Sequence, residues 1–163
     1  MPQGVKSGQV YRELKGLRHT GRELALKALY QIDIRGEVSN PDLALFFESF
    51  AGERRDAFAL RLVDGAWRER KLIDGIVADV LEHWSLARLS RIDHNILRLA
   101  VYELLRMQDI PARVTIDEAI ELAKTYGDHD SGRFINGVLD QVAERLNLKE
   151  KGEESADRKA HGA

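Results

Sequence analysis

The 163-residue chain contains no cysteine, which excludes disulfides, thiolate nucleophiles and cysteine-ligated zinc and fits a reducing compartment. It has only three prolines, Pro2, Pro41 and Pro111, so long helices are permitted. No apolar run approaches the roughly 18 residues of a membrane span, and the first residues lack the apolar core of a secretory signal. Catalytic constellations are missing as well. The histidines His19, His83, His94, His129 and His161 are scattered without metal-ligand spacing, and there is no nucleophile elbow, phosphate loop or dinucleotide fingerprint. Asp128-His129-Asp130 is dense in polar groups, but its place between two helices explains it as capping. The chain is therefore expected to be no enzyme, with no cofactor, no metal and no membrane partner.

What is present is a globular composition, 44% hydrophobic and 32% charged, of a length that suits one domain. Net charge is −2, yet Met1–Lys27 carries six basic residues against Glu13 and Glu23, leaving the rest acidic. A basic arm on an acidic body suggests a localised anion-binding surface. Residues 1–17 read as a mobile basic arm, 18–148 as a helical domain, and 149–163, with eight charges and no large apolar side chain, as a disordered tail.

Between the ends the hydrophobic period is that of helices. Ala25, Ala28, Leu29 and Ile32 form one stripe, closed by Gly36. Asn40-Pro41 reads as an N-cap followed by proline, opening a helix with Leu43, Phe46, Phe47 and Phe50 inward. Arg54 to about His83 reads as one long helix, with a break near Arg68–Lys71 as the alternative. Asp93 reads as the N-cap of a nearly all-apolar, central helix. Thr115-Ile116-Asp117-Glu118 reads as a capping box, Gly127 as a left-handed helix terminator, and Asp130 or Ser131 as the cap of a last helix. The fold class is all-α, with about six or seven helices.

Two groups point to nucleic acid. Lys15, Arg18, His19 and Arg22 follow helical spacing, so in a helix they form a stripe able to track a phosphate backbone. The same pattern also describes a solvated face, and Gly16 and Gly21 weaken the helix. Lys124-Thr125-Tyr126 and Arg133-Phe134 place aromatic rings beside cations, which suits unstacked RNA bases. Tyr126 and Phe134 also sit at core spacings, so plain packing stays open.

The stretch ILRLAVYELLRMQDIPARVTIDEAIELAKTYGDHDSGRFINGVLD, Ile96–Asp140, resembles the C-terminal half of the NusB family of transcription antitermination proteins, and RELALKALYQ, Arg22–Gln31, resembles the start of that family's first helix. The resemblance implies a NusB-like helical bundle in two subdomains. It implies a cytoplasmic factor that binds the boxA element of ribosomal RNA transcripts together with NusE, a small-subunit ribosomal protein, and acts through other Nus factors and RNA polymerase in processive elongation. Position by position, it puts RNA contacts at Arg18, His19 and Arg22 and at Lys124, Tyr126, Asp130 and Phe134. It puts the family's tyrosine at Tyr30 and the expected partner contact at Asp93. The arginine-rich start is diluted here to Arg18-His19-Thr20-Gly21-Arg22, with Arg12 and Lys15 one or two turns earlier. A homodimer that hides the arm stays open.

Overall fold

A computed structural model describes residues 7–36, 57–82 and 84–148. Those residues form six α-helices and one 3₁₀ turn, and contain no strand: α1 Ser7–Arg35, α2 Ala57–Arg68, α3 Arg70–Val80, the turn Leu86–Arg88, α4 Arg91–Arg106, α5 Ala112–Tyr126 and α6 Ser131–Arg145. The chain divides into two compact units, Met1–Asp64 and Gly65–Ala163. The cap at Asn40-Pro41, the apolar set Leu43–Phe50, His83 and the tail 149–163 lie outside the described residues.

In the first unit, α1 runs unbroken for 29 residues. Its second half is good helix-forming sequence with one apolar face, and Ala25, Leu26, Ala28, Leu29 and Ile32 are all fully buried. Gly36 ends it at φ +85°, donating its N–H back to the Ile32 carbonyl at 3.0 Å. That left-handed backbone is where glycine is needed.

The helix expected from Arg54 to His83 is broken, at the place the alternative reading named. Glu69 separates α2 from α3. At the break Arg70 stacks on the Trp67 ring at 4.0 Å and its Nη1 donates to the Trp67 carbonyl at 2.7 Å. Arg106 of α4 also fixes Glu69 from outside, its Nε donating to both carboxylate oxygens at 3.0 Å, and these hydrogen bonds hold that carboxyl below its usual range.

In the second unit α4 packs against α3, α5 and α6, and α6 also meets α3 and α5. Every residue of α4 from Asn95 to Leu104 is buried, as its nearly continuous apolar sequence requires. Two helix starts differ from expectation. Ser90, not Asp93, caps α4: its Oγ accepts from the Asp93 N–H at 3.1 Å, which puts Asp93 in the first turn. A Ser-x-x-Asp pattern carries that signal too. Thr115 caps nothing, because α5 already starts at Ala112, directly after Pro111. Thr115 is buried and donates through Oγ1 to the buried Glu103 of α4 at 3.2 Å. Gly127 is not left-handed either, with φ −92°. A Cβ there would meet the Ser131 side chain and the Ala123 carbonyl, so the glycine serves close approach of α5 to α6.

Gly65 is equally constrained, since a Cβ would run into the ring of the buried Tyr102. Gly65→Ala is expected to lower unfolding free energy by about 1–3 kcal/mol despite its gain in helix propensity. Gly75→Ala, which meets open space, is expected to be neutral or stabilising. Urea unfolding of the two variants measures the contrast.

Candidate nucleic-acid interface

Because α1 begins at Ser7, Lys15, Arg18, His19 and Arg22 are all helical, on successive turns. Their environments differ. Lys15 and Arg18 are exposed and His19 is half-buried, with its Nε2 3.0 Å from Glu23 Oε1. Arg22 is 3% exposed, so it cannot offer an open phosphate contact of the same kind. Phe58, at the start of α2, receives both arginines: the Arg18 guanidinium lies 5.5 Å and the Arg22 guanidinium 5.2 Å from the ring centroid. A ring face attracts cations electrostatically, so Phe58 holds the root of the basic stripe. Phe58→Leu is expected to cost about 1–2 kcal/mol of stability while Phe58→Tyr keeps it, as measured by thermal unfolding. Tyr30, further along α1, is half-buried.

Of the second group, Phe134 lines an open groove of about 440 Å³ in the Gly65–Ala163 unit. Trp84 and Arg88 line it from the segment that leads into α4, Asp93 from the first turn of α4, and Asp128, Asp130, Ser131 and Phe134 from the α5–α6 turn and the first turn of α6. The turn is built by Ser131, whose buried Oγ accepts from the Asp128 N–H at 2.9 Å. Asp130 is exposed and directly precedes α6. Phe134 is half-buried, neither a core residue nor a free one, while its neighbour Ile135 is fully buried. Trp84 is 56% exposed. Asp93 Oδ1 is out of contact with solvent and has no hydrogen-bond partner among the described residues.

Lys124 and Tyr126, at the end of α5, do not line this groove. Lys124 is exposed, with a long 3.4 Å contact to Glu121, and Tyr126 is half-buried. Sequence reasoning missed Trp84 and Arg88. The available signal was a tryptophan followed by an arginine in a short stretch without helical period. Among the described residues no three His, Asp or Glu side chains gather to hold a metal ion, and no helix is long and apolar enough to cross a membrane.

Residues 19–144 match the model of the NusB family. The chain belongs to the NusB family. It is 45% identical, over 145 residues, to the transcription antitermination protein NusB of Desulfitobacterium hafniense (strain DSM 10664 / DCB-2), a match spanning 86% of this chain and 98% of that one. A NusB of Citrifermentans bemidjiense is 46% identical over 142 residues, spanning 82% and 98%. Among solved structures, NusB of T. maritima superposes with a TM-score of 0.74 at 44% identity, covering 83% of this chain and 96% of that one. A structure of antitermination factors NusB and NusE in complex with double-stranded RNA is 30% identical, with a TM-score of 0.67 and coverage of 82% and 98%. The solved NusB structures share the all-α fold of this chain, and membership of this family makes it no enzyme.

Proposed function

We propose that the chain is a cytoplasmic transcription antitermination factor. It binds the boxA element of ribosomal RNA transcripts together with NusE and supports processive elongation, reaching other Nus factors and RNA polymerase through that complex. The observation that carries this reading is the groove between Trp84 and Phe134, on a chain whose family includes a solved complex with NusE and RNA.

The chemistry of the two surfaces assigns them different tasks. Asp93, Asp128 and Asp130 repel phosphate, so the groove suits bases. Rings stack on Phe134 and Trp84, and carboxylates accept from base amino and imino hydrogens. Lys15, Arg18 and His19 of α1, with Lys124 of α5, suit the sugar-phosphate backbone. Arg22 supports the stripe from within by stacking on Phe58. Tyr126 lends a further aromatic face. Tyr30 and Asp93 face NusE in this reading. Residues 18–148 form the functional body.

Size-exclusion chromatography with light scattering tests the assembly. Equimolar chain, NusE and boxA RNA are expected to elute as one ternary species. Elution as separate components at low salt contradicts the proposal, and a species of twice the chain's mass that dissolves on adding RNA reveals a self-associated resting form.

A further inference from the structure

Gly137 lies in the middle of α6, where glycine costs helix stability relative to ordinary residues. Nothing among the described residues asks for it. Gly36 serves its positive φ, and Gly65 and Gly127 each serve a neighbour that a Cβ would strike. Gly137 has neither reason. Its φ is not positive, a Cβ there meets no atom within 4 Å, and the position is exposed. Its place sets it apart. One turn earlier, at i−3, stands Phe134, half-buried and lining the groove, with the exposed Arg133 at i−4. Helical side chains lean toward the N-terminus, over the turn before their own Cα, and residues three or four apart touch. A long side chain at 137 would therefore lie across Phe134. Gly75 of α3 is equally open and exposed, but Lys71 and Leu72, one turn before it, do not line the groove.

We propose that Gly137 is a determinant of RNA binding, its missing side chain keeping the Phe134 ring bare for a base to stack on. The proposal rests on the base-stacking reading of the groove and deepens it. A base needs the π face of the ring uncovered. A leucine at i+3 would take the ring for itself, as an ordinary Phe–Leu pair on a helix surface. The helix thus gives up stability at 137 and keeps an accessible ring. Size decides the effect of a replacement. Alanine, whose Cβ stops short of every neighbour, leaves the ring open, while leucine or methionine reaches it.

The test is filter binding of full-chain variants to boxA RNA, with thermal unfolding of each. Gly137→Leu and Gly137→Met are expected to melt at or above the parent's temperature and to bind about tenfold more weakly, the cost of one lost base stack. Gly137→Ala is expected to melt higher and bind as the parent does. Gly75→Leu, the same replacement at an open helix glycine away from the ring, is expected to keep parental affinity. In the Phe134→Ala background Gly137→Leu is expected to cost nothing further, because the surface it covers is already gone. Parental affinity in both Gly137→Leu and Gly137→Met, beside a weakened Phe134→Ala, overturns the role of Gly137 and leaves the functional reading intact. So does a loss that persists undiminished without the ring, one matched by Gly75→Leu, or a lowered melting temperature in both variants. Loss of NusE capture with RNA binding unchanged overturns it in favour of a protein-docking face. Parental affinity in Phe134→Ala removes the stacking reading and this inference with it.

Discussion

Replacing Phe134 by alanine is expected to weaken RNA binding roughly 10- to 100-fold, the loss of about 1–3 kcal/mol that accompanies removal of one base-stacking ring. The argument starts from where the ring lies. On α6, the buried Ile135, Val138 and Val142 carry the packing, and Phe134 stays half-exposed at the groove wall with Trp84 and Arg88. A core role and a stacking role make different forecasts for Phe134→Leu. Leucine fills nearly the same apolar volume but has no π face. If the ring only packs, leucine restores both melting temperature and binding. If it stacks on a base, leucine keeps the melting temperature near the parent's and binds RNA as poorly as alanine. The second outcome is expected, and parental affinity in the leucine variant contradicts the groove's assignment.

Replacing Asp74 by asparagine is expected to cost roughly 3 kcal/mol of unfolding free energy at pH 7. Asp74 of α3 joins two residues of α4. Arg98 donates through Nε to Oδ1 at 2.9 Å and through Nη2 to Oδ2 at 2.8 Å, and His94 Nε2 lies 2.8 Å from Oδ1. The Arg98 side chain is 8% exposed, so removing the carboxylate leaves a desolvated guanidinium with its main counter-charge gone. Burial pushes the Asp74 carboxyl up, but the hydrogen bonds and charges of Arg98 and His94 outweigh it and hold the pKa down at about 2, from an ordinary 3.8. The folded value lies below the unfolded one, so the stabilisation is complete above about pH 4 and is lost as pH falls toward 2. The gap between parent and Asp74→Asn in urea unfolding should therefore shrink across that window. A constant gap from pH 5 to pH 2 contradicts the pairing.

Much of the fold is legible in the sequence because helices declare themselves by period. The stripes Ala25–Ile32, Ala59–Ala66 and Ile73–Val80 are buried where the spacing puts them, apart from the half-buried Ile76. Helix starts are less legible, because the same local pattern serves several positions. Thr115-x-x-Glu118 reads as a capping box, but once Pro111 opens the helix it lies a turn inside, and Thr115 turns inward to Glu103. Gly127 likewise looks like a terminator of known backbone, although its role is steric. At the break, Glu69 pairs with Arg106, which is remote in sequence and which no local pattern names.

The site is legible only in part. Helical spacing aligns Lys15, Arg18, His19 and Arg22, but burial of Arg22 depends on tertiary packing and on Phe58, which no local period announces. Trp84 and Phe134 are fifty residues apart, and nothing in either segment names the other. Their meeting follows from α4 packing against α6, a tertiary event. The exposed Lys15 and Arg18 are the reverse case: their charges are plain in the sequence, and the unbroken start of α1 is what aligns them.

The central claim is that this chain reads boxA RNA jointly with NusE. A gel-shift titration of chain plus NusE, at one fixed moderate salt concentration, against boxA RNA and a scrambled RNA of the same length and composition tests it most directly. The account predicts a specific affinity for boxA at least tenfold above that for the scrambled RNA, strengthened by NusE and lost in Phe134→Leu. Equal affinity for the two RNAs, unaltered by NusE, would contradict it.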